Sequence, residues 1–228
     1  MDKMLSPIFY KMILKTFAQF ISIVFHPLLV LTYMMGLLLI VNPYLPGQNQ
    51  GIMLISIFFS TFLIPMVGIL MMRALNLISS LNMPDRQERT IPYIMTGLFY
   101  IWICYNLYQD AGTPVAIKIG ALGATLGLFL SFLFNLFTKI SMHALGMGGL
   151  LGFTILTVLY FSYNGFYVNT GLFGVIQVST TALLMLVLFF TGLVCTSRML
   201  LDAHSLQDLY AGFIVGLSTQ FIATIILI

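Results

Sequence analysis

Charged side chains are scarce in this sequence: Lys, Arg, Asp and Glu make up only 7% of its 228 residues. A water-soluble domain carries about 25% charged residues. Hydrophobic residues instead reach 60%, and the mean hydropathy is +1.06. This composition excludes a disordered chain, and one core could not bury so much apolar surface away from water. The sequence therefore predicts an integral membrane protein.

Cysteine and clustered positive charge are also scarce. Cys104 and Cys195 are the two cysteines of the chain and both lie among apolar residues, which excludes a secreted disulfide scaffold. The net charge is +3, and the basic residues are scattered along the chain. Nucleic-acid binding needs a basic stripe, so we expect no nucleic-acid partner and expect the lipid bilayer as the surroundings.

Long apolar segments dominate what is present. About 20 apolar residues are needed to cross the hydrocarbon core of a membrane. The candidate spans run approximately over Phe17–Val41, Ile52–Met72, Pro92–Leu107, Ala116–Phe137, Leu145–Tyr163, Gly174–Val194 and Leu209–Ile228. The third of these is short. The pattern predicts an all-α fold, a polytopic transmembrane helix bundle of six to seven spans, because helices satisfy their own backbone groups in lipid.

The first 16 residues differ from the long apolar segments. Lys3, Lys11 and Lys15 alternate there with apolar residues, which predicts a short amphipathic N-terminal helix at the membrane interface and not a cleaved signal peptide. A short basic flank is the alternative. Residues 17–228 then form the transmembrane bundle of a single domain that covers residues 1–228.

Most ionisable residues fall into three groups, and each group is separated from the next by two predicted spans. Ionisable residues near membrane depth are costly and mark candidate functional sites. Two crossings return the chain to the same side, so we expect the three groups to meet at one membrane surface. They comprise Arg73, Asp85, Arg86, Glu88 and Arg89; Lys139, Ser141 and His143; and Ser197, Arg198, Asp202, His204 and Asp208.

These residue types together indicate phosphoryl transfer. His204 and Asp208 are four residues apart, and a carboxylate partner makes an imidazole a competent nucleophile or base. His143 is a candidate for protonating the leaving oxygen and later activating water. Arginine side chains bind phosphate oxygens. We therefore expect a covalent phosphohistidine, with arginines neutralising the phosphoryl charge and no metal or other cofactor.

The third group resembles a signature of the type-2 phosphatidic acid phosphatase superfamily, Ser-Arg-x5-His-x3-Asp. The segment Ser197–Asp208 fits it at every specified position. The second signature of that family, Pro-Ser-Gly-His, corresponds to Ile140–His143, which keeps only the serine and the histidine. The first signature, Lys-x6-Arg-Pro, fits poorly: with Arg89 as its arginine, the lysine position falls on Asn82 and the proline comes late, at Pro92.

The resemblance implies a membrane lipid phosphate phosphatase of a bacterial cytoplasmic (inner) membrane. Its substrate would be a lipid phosphomonoester or pyrophosphate, such as polyprenyl pyrophosphate, lipid A, phosphatidylglycerophosphate or phosphatidate. The implied roles are His204 as nucleophile, Asp208 as its orienting partner, His143 as acid and base, Arg198, Arg89 and Ser141 as phosphate ligands, and Arg86 as a replacement for the missing lysine charge.

Two other functions fit part of the pattern. His143, His204 and Asp208 are also possible ligands of a divalent metal in a membrane hydrolase, although nearby arginines would repel the cation. A transporter of anionic lipids would also use arginines, but the sequence has no repeated pair of broken spans.

The compartment that the three groups face stays open. The distribution of basic residues puts them in the cytoplasm, whereas many members of the family face the opposite side.

Some of these residues also have a simple structural interpretation. Ser205 and Asp208 have the spacing of a helix N-cap with an acidic residue in the first turn. Arg86 and Arg89 have carboxylates beside them in the sequence with which to pair. His26 precedes a proline, and we interpret it as a structural residue at a kink and not as a ligand.

Overall fold

Helices form nearly all of the structure, which is a computed structural model that describes residues 7–42, 50–81, 83, 85–162, 165–169, 171 and 174–228. The prediction of an all-α helical bundle is confirmed. The elements are α1 (Pro7–Val24), α2 (Val30–Val41), α3 (Gln50–Phe58), α4 (Ile64–Ala74), α5 (Thr90–Gln109), α6 (Val115–Phe137), α7 (Met142–Leu156), β1 (Gly165–Asn169), β2 (Val175–Ser179), α8 (Thr180–Leu200) and α9 (Leu206–Leu227).

The described helices include six stretches long and apolar enough to cross a membrane. These are Phe9–Val41, Gln50–Ala74, Val115–Phe137, Met142–Phe161, Thr180–Leu200 and Leu206–Leu227. Large apolar side chains such as Phe189, which is 64% exposed, point outward from the bundle. In water this surface would be strongly unfavourable, whereas lipid solvates it. The chain is therefore an integral membrane protein.

Helix α5 coincides with the short third span predicted from the sequence. It has 20 residues and runs antiparallel to α6, since the Thr125 hydroxyl lies 3.4 Å from the Tyr100 carbonyl and Lys118 Nζ lies 3.2 Å from the Tyr108 carbonyl. It is long enough to cross the membrane but less apolar than the six stretches above.

The first span is interrupted near residue 25, and not at residue 16 as the predicted interfacial helix requires. Helix α1 continues without a break from Pro7 to Val24, and a single 3₁₀ turn at Pro27–Leu29 leads into α2. Pro27 explains the position of the break, because it disfavours helical backbone at the preceding residue. Residues 1–6, which include Lys3, lie outside the described residues.

The predicted sixth span, Gly174–Val194, begins too early. Residues Val175–Ser179 form a strand that pairs antiparallel with Gly165–Asn169. Helix α8 begins only at Thr180, where the Ser179 hydroxyl accepts a hydrogen bond of 3.1 Å from a backbone N–H of the first turn. The error has a physical reason: β-branched residues are apolar enough to resemble a span but favour strands.

Glycines allow α7 and α9 to pack closely. A Cβ atom at Gly216 would overlap the backbone carbonyl of Leu145, and one at Gly148 would overlap the carbonyl of Phe213. Gly152 likewise faces α9, and small residues on one helix face let neighbouring backbones approach closely. This contact fixes the relative position of α7, which begins beside His143, and α9, which begins beside His204.

The three polar groups meet at one end of the bundle, which we call the polar end. It comprises the described residues among 75–89, together with 138–143 and 197–208, and residues 22–26 of the first span, which contact them. Side-chain hydrogen bonds connect these segments with one another and with the end of α6. Asn135 Nδ2 donates to the Arg86 carbonyl at 2.9 Å, Arg89 Nη1 to the Ile140 carbonyl at 3.5 Å, and Lys139 Nζ to the Ala203 carbonyl at 2.9 Å. The predicted convergence of the three groups is confirmed.

Candidate active site

His204 and Asp208 contact each other where α9 begins. His204 Nδ1 lies 3.4 Å from Asp208 Oδ2, and the same oxygen accepts a 3.1 Å hydrogen bond from the Ser205 backbone N–H. The Ser205 hydroxyl in turn accepts a 3.2 Å hydrogen bond from the Asp208 N–H. The capping box and the His–Asp pair therefore coexist, and the cap holds the carboxylate in place for the imidazole.

The contact with Asp208 determines which nitrogen of His204 is free. An ionised carboxylate only accepts hydrogen bonds, so Nδ1 carries the proton and Nε2 keeps its lone pair. The His204 side chain is only 5% exposed. Burial lowers the pKa of His204 to about 4, and the positive charges of Arg198, Arg89 and Lys139 contribute to the lowering, whereas the hydrogen bond that His204 donates to Asp208 opposes it. A neutral imidazole with a free Nε2 is the form that a nucleophile requires.

Arg89 enters the polar end from the start of α5. Its Nε donates to the Met83 carbonyl at 2.9 Å and its Nη1 to the Ile140 carbonyl at 3.5 Å, and the residue is only 9% exposed. Burial lowers the pKa of Arg89 from its ordinary value, which Tyr93 and Asp208 oppose. A guanidinium stays protonated at any working pH. Arg89 therefore brings a fixed, buried positive charge close to Asp208.

Arg198 lies in the last turn of α8 and reaches toward α1. Its Nη1 donates a 3.3 Å hydrogen bond to the Ser22 hydroxyl, while its Nε is buried and has no hydrogen-bond partner among the described residues. Within the described residues, ion pairs join Lys15 to Asp202 at 3.1 Å and His204 to Asp208, and neither Arg89 nor Arg198 takes part in one. The cations around His204 therefore outnumber the carboxylates, which leaves charge for an anionic ligand to neutralise.

His143 faces the same cluster from the first turn of α7. Its Nε2 lies 3.1 Å from the Ser22 carbonyl, and because a carbonyl only accepts, Nε2 carries the proton. Electrostatic interactions also connect His143 with Arg198, His26 and His204. Nδ1 is consequently the nitrogen of His143 that remains available to exchange a proton.

Two of the predicted phosphate ligands, Ser141 and Arg86, contact helix ends in the structure. Ser141 is completely buried, and its hydroxyl caps α7 by accepting a 3.4 Å hydrogen bond from the Ala144 N–H. Arg86 Nη1 donates to the Phe137 carbonyl at 2.6 Å, at the C-terminal end of α6. In this arrangement Ser141 serves as a helix cap and Arg86 binds a helix terminus, and their role as phosphate ligands stays a prediction.

Three residues at the polar end were not among the predicted site residues. Lys139 adds a positive charge beside His204, while Ser22 contacts both His143 and Arg198. The ring of His26 lies beside that of His143, with 5.8 Å between their centroids. The sequence carried a signal for Lys139, which belongs to a polar group, and a weaker one for His26, an ionisable residue within a span.

The structure bears on two alternatives to a phosphate site: pairing of Arg89 with a neighbouring carboxylate, and a metal-dependent hydrolase. The Glu88 carboxylate accepts 3.0 Å hydrogen bonds from the backbone N–H and hydroxyl of Ser79 and does not pair with Arg89. For the metal-dependent alternative, no group of three His, Cys, Asp or Glu side chains with the spacing of a metal site occurs in the part of the chain that the structure describes.

Comparison of the chain with family models, with curated proteins and with solved structures finds no match.

Proposed function

We propose that this protein is a membrane phosphatase that hydrolyses lipid phosphates through a phosphohistidine at His204. One observation carries the proposal: Arg89 and Arg198, which form no ion pair with any carboxylate of the described residues, adjoin a neutral histidine that a carboxylate orients. An unpaired guanidinium in a half-buried site is unfavourable unless an anion joins it. Phosphate oxygens match the geometry of the guanidinium fork, and Nε2 of His204 supplies the nucleophile.

The proposed reaction proceeds in two steps. In the first, Nε2 of His204 attacks phosphorus, the bond from phosphorus to the leaving oxygen breaks, and that oxygen takes a proton from Nδ1 of His143, which received it from the monoanionic phosphate group on binding. In the second, His143 removes a proton from water, the water oxygen bonds to phosphorus, and the phosphorus–nitrogen bond breaks to release inorganic phosphate. Arg89 and Arg198 neutralise the charge on the phosphoryl oxygens in both steps.

The position of the site supports a lipid as the substrate. The polar end terminates a bundle whose outer surface is apolar, so a headgroup can reach His204 while its chains remain in the bilayer. The resemblance of Ser197–Asp208 to the third signature of the type-2 phosphatidic acid phosphatases supports the same class of substrate. The candidates are polyprenyl pyrophosphate, lipid A, phosphatidylglycerophosphate and phosphatidate.

A phosphate-release screen of the purified protein tests the proposal. Each candidate lipid is supplied in mixed micelles containing EDTA, and the wild type is compared with His204→Gln and with Asp110→Asn, an exposed carboxylate at the opposite end of the bundle. We expect release of phosphate from at least one lipid by the wild type and the Asp110 variant, and none by His204→Gln. Activity that is lost in EDTA and restored by a divalent metal would overturn the metal-free mechanism.

A further inference from the structure

The break between α1 and α2 brings residues of the first span into the polar end. Non-helical backbone at membrane depth is tolerated where it is buried in protein or lines a polar cavity. Here the break is followed by Pro27, and His26 Nδ1 accepts a 3.3 Å hydrogen bond from the Leu28 N–H. One backbone group freed by the break is thus satisfied by the histidine ring itself.

That hydrogen bond determines which nitrogen of the His26 ring carries the proton. A backbone N–H can only donate, so Nδ1 accepts and the neutral ring carries its proton on Nε2. Within the described residues, the hydrogen bond of the His26 ring is the one that Nδ1 accepts, which leaves Nε2–H for a ligand. The ring packs edge-on against His143 on one side, with 5.8 Å between centroids, and against Phe62 on the other, at 6.2 Å. His26 therefore holds an unused N–H donor in the polar end.

Ser22, one turn before His26, connects α1 to the predicted site residues. Its carbonyl accepts from His143 Nε2 at 3.1 Å, and its hydroxyl accepts from Arg198 Nη1 at 3.3 Å. The residue is 7% exposed, so both contacts are shielded from solvent. Arg198 also interacts electrostatically with His26. The same turn of α1 thus positions a guanidinium and an imidazole and presents a second imidazole beside them.

On the basis of the proposed function, we propose that His26 is a substrate-binding residue whose Nε2–H donates a hydrogen bond to a phosphate oxygen, and that Ser22 is a positioning residue for Arg198 and His143. A hydrogen bond to a charged oxygen is stronger than one between neutral groups. The phosphate site would then include α1 as well as the three polar groups that the spacing of the spans brings together.

Two substitutions at His26 separate this role from the capping of the 3₁₀ turn. Asparagine places an oxygen near the position of Nδ1, so His26→Asn keeps the cap and loses the distal donor. Glutamine places an amide near the position of Nε2, so His26→Gln keeps a donor and loses the cap. The measurement is orthovanadate binding by isothermal titration calorimetry in detergent with EDTA, alongside the melting temperature.

We expect His26→Asn to bind vanadate about tenfold to a hundredfold more weakly than the wild type, the range for a hydrogen bond to a charged group. His26→Gln should retain clearly more affinity than His26→Asn. Equal affinities in the two variants, or wild-type affinity in His26→Asn, would overturn the role of His26. A wild type that binds neither vanadate nor inorganic phosphate would instead contradict the proposed function itself.

A measurement on the unsubstituted protein keeps the test independent of folding in the variants. The chain has three histidines, so ¹⁵N labelling of histidine gives a small set of ring signals. We expect inorganic phosphate to shift the Nε2 signal of His26 together with that of His204, and an unmoved His26 signal would overturn the assignment.

For Ser22, replacement by Thr should preserve the turnover that replacement by Ala reduces, because only Thr keeps the hydroxyl.

Discussion

At the residue scale, we expect phosphate binding by Arg198 to depend on the geometry of its guanidinium as much as on its charge. One guanidinium nitrogen donates to Ser22, and another is buried with no partner in the part of the chain that the structure describes, so the guanidinium is already oriented before a ligand binds. Lysine would keep the charge but has a single nitrogen. We expect Arg198→Lys to reduce kcat/KM by about a hundredfold or more, a loss of about 2.7 kcal/mol in transition-state stabilisation.

The matched control for Arg198→Lys is Arg73→Lys, in the last turn of α4. Arg73 is not among the residues whose charges act on His204, so its replacement should leave the kinetics unchanged. Steady-state phosphate release measures both variants. Equal kinetics for Arg198→Lys and the wild type would contradict the argument for bidentate phosphate binding.

The lowered pKa of His204 predicts that the stability of the protein falls at acidic pH. Burial lowers it to about 4 in the folded protein, whereas an unfolded chain has a histidine pKa of about 6.5. Between these values the unfolded state binds more protons, so stability falls as the pH drops through this window. From pH 7 to pH 4.5 the wild type should lose on the order of 2 kcal/mol that His204→Gln does not lose.

Melting temperatures of both proteins at pH 7 and pH 4.5, in detergent without ligand, provide the comparison. The wild type should lose more than the variant on acidification. If the two melting temperatures fall by the same amount, the buried, neutral state assigned to His204 is incorrect.

The residues of the site differ in how far the sequence could reveal them. His204 and Asp208 are one helical turn apart, so their contact follows from local spacing. Ser22 is more than a hundred residues from both of its partners, and only the packing of α1 against α8 brings it there. The sequence could not show that the Ser141 hydroxyl would be used for capping, because the same serine fits either role.

At the element scale, the contact between α7 and α9 determines whether the site assembles. A Cβ atom at Gly216 would meet backbone atoms of Leu145 and Gly149, which cannot move aside as a flexible side chain can. We expect Gly216→Ala to cost about 1–3 kcal/mol or more and to impair turnover, since α7 carries His143. Melting temperature and phosphate release in detergent measure the two effects.

Gly192 provides a matched control in α8. A Cβ atom there meets nothing within 4 Å, and alanine favours a helix by about 1 kcal/mol relative to glycine. Gly192→Ala should therefore be neutral or slightly stabilising. Similar destabilisation by both substitutions would show that helix packing at Gly216 is not the cause.

The elements were largely predictable because apolar length is a strong signal in a membrane protein. The exceptions are places where apolar residues serve another purpose. Val175 and Ile176 extend the apolar run before α8 but lie in a strand, and Lys15 lies inside the continuous helix α1 where its charge suggested a boundary. Hydropathy alone does not distinguish these cases.

At the scale of the whole molecule, the fold requires that residues 110 and 202 lie at opposite ends of the bundle. Helices α6, α7 and α8 separate them, an odd number of crossings, and both residues are exposed. Cysteines introduced at Asp110 and Asp202, in a background with Cys104 and Cys195 replaced by serine, should react with a membrane-impermeant maleimide from opposite sides. Labelling of both from the same side would contradict the described bundle.

The central claim is that His204 accepts a phosphoryl group, and trapping that intermediate tests it most directly. The purified protein is mixed in EDTA with the lipid phosphate it hydrolyses, labelled with ³²P, and quenched in alkali during turnover, since phosphohistidine survives alkali but not acid. Peptide mapping should place an acid-labile label on His204 and none in His204→Gln. A label on another residue, or no label during steady phosphate release, would contradict the phosphohistidine mechanism.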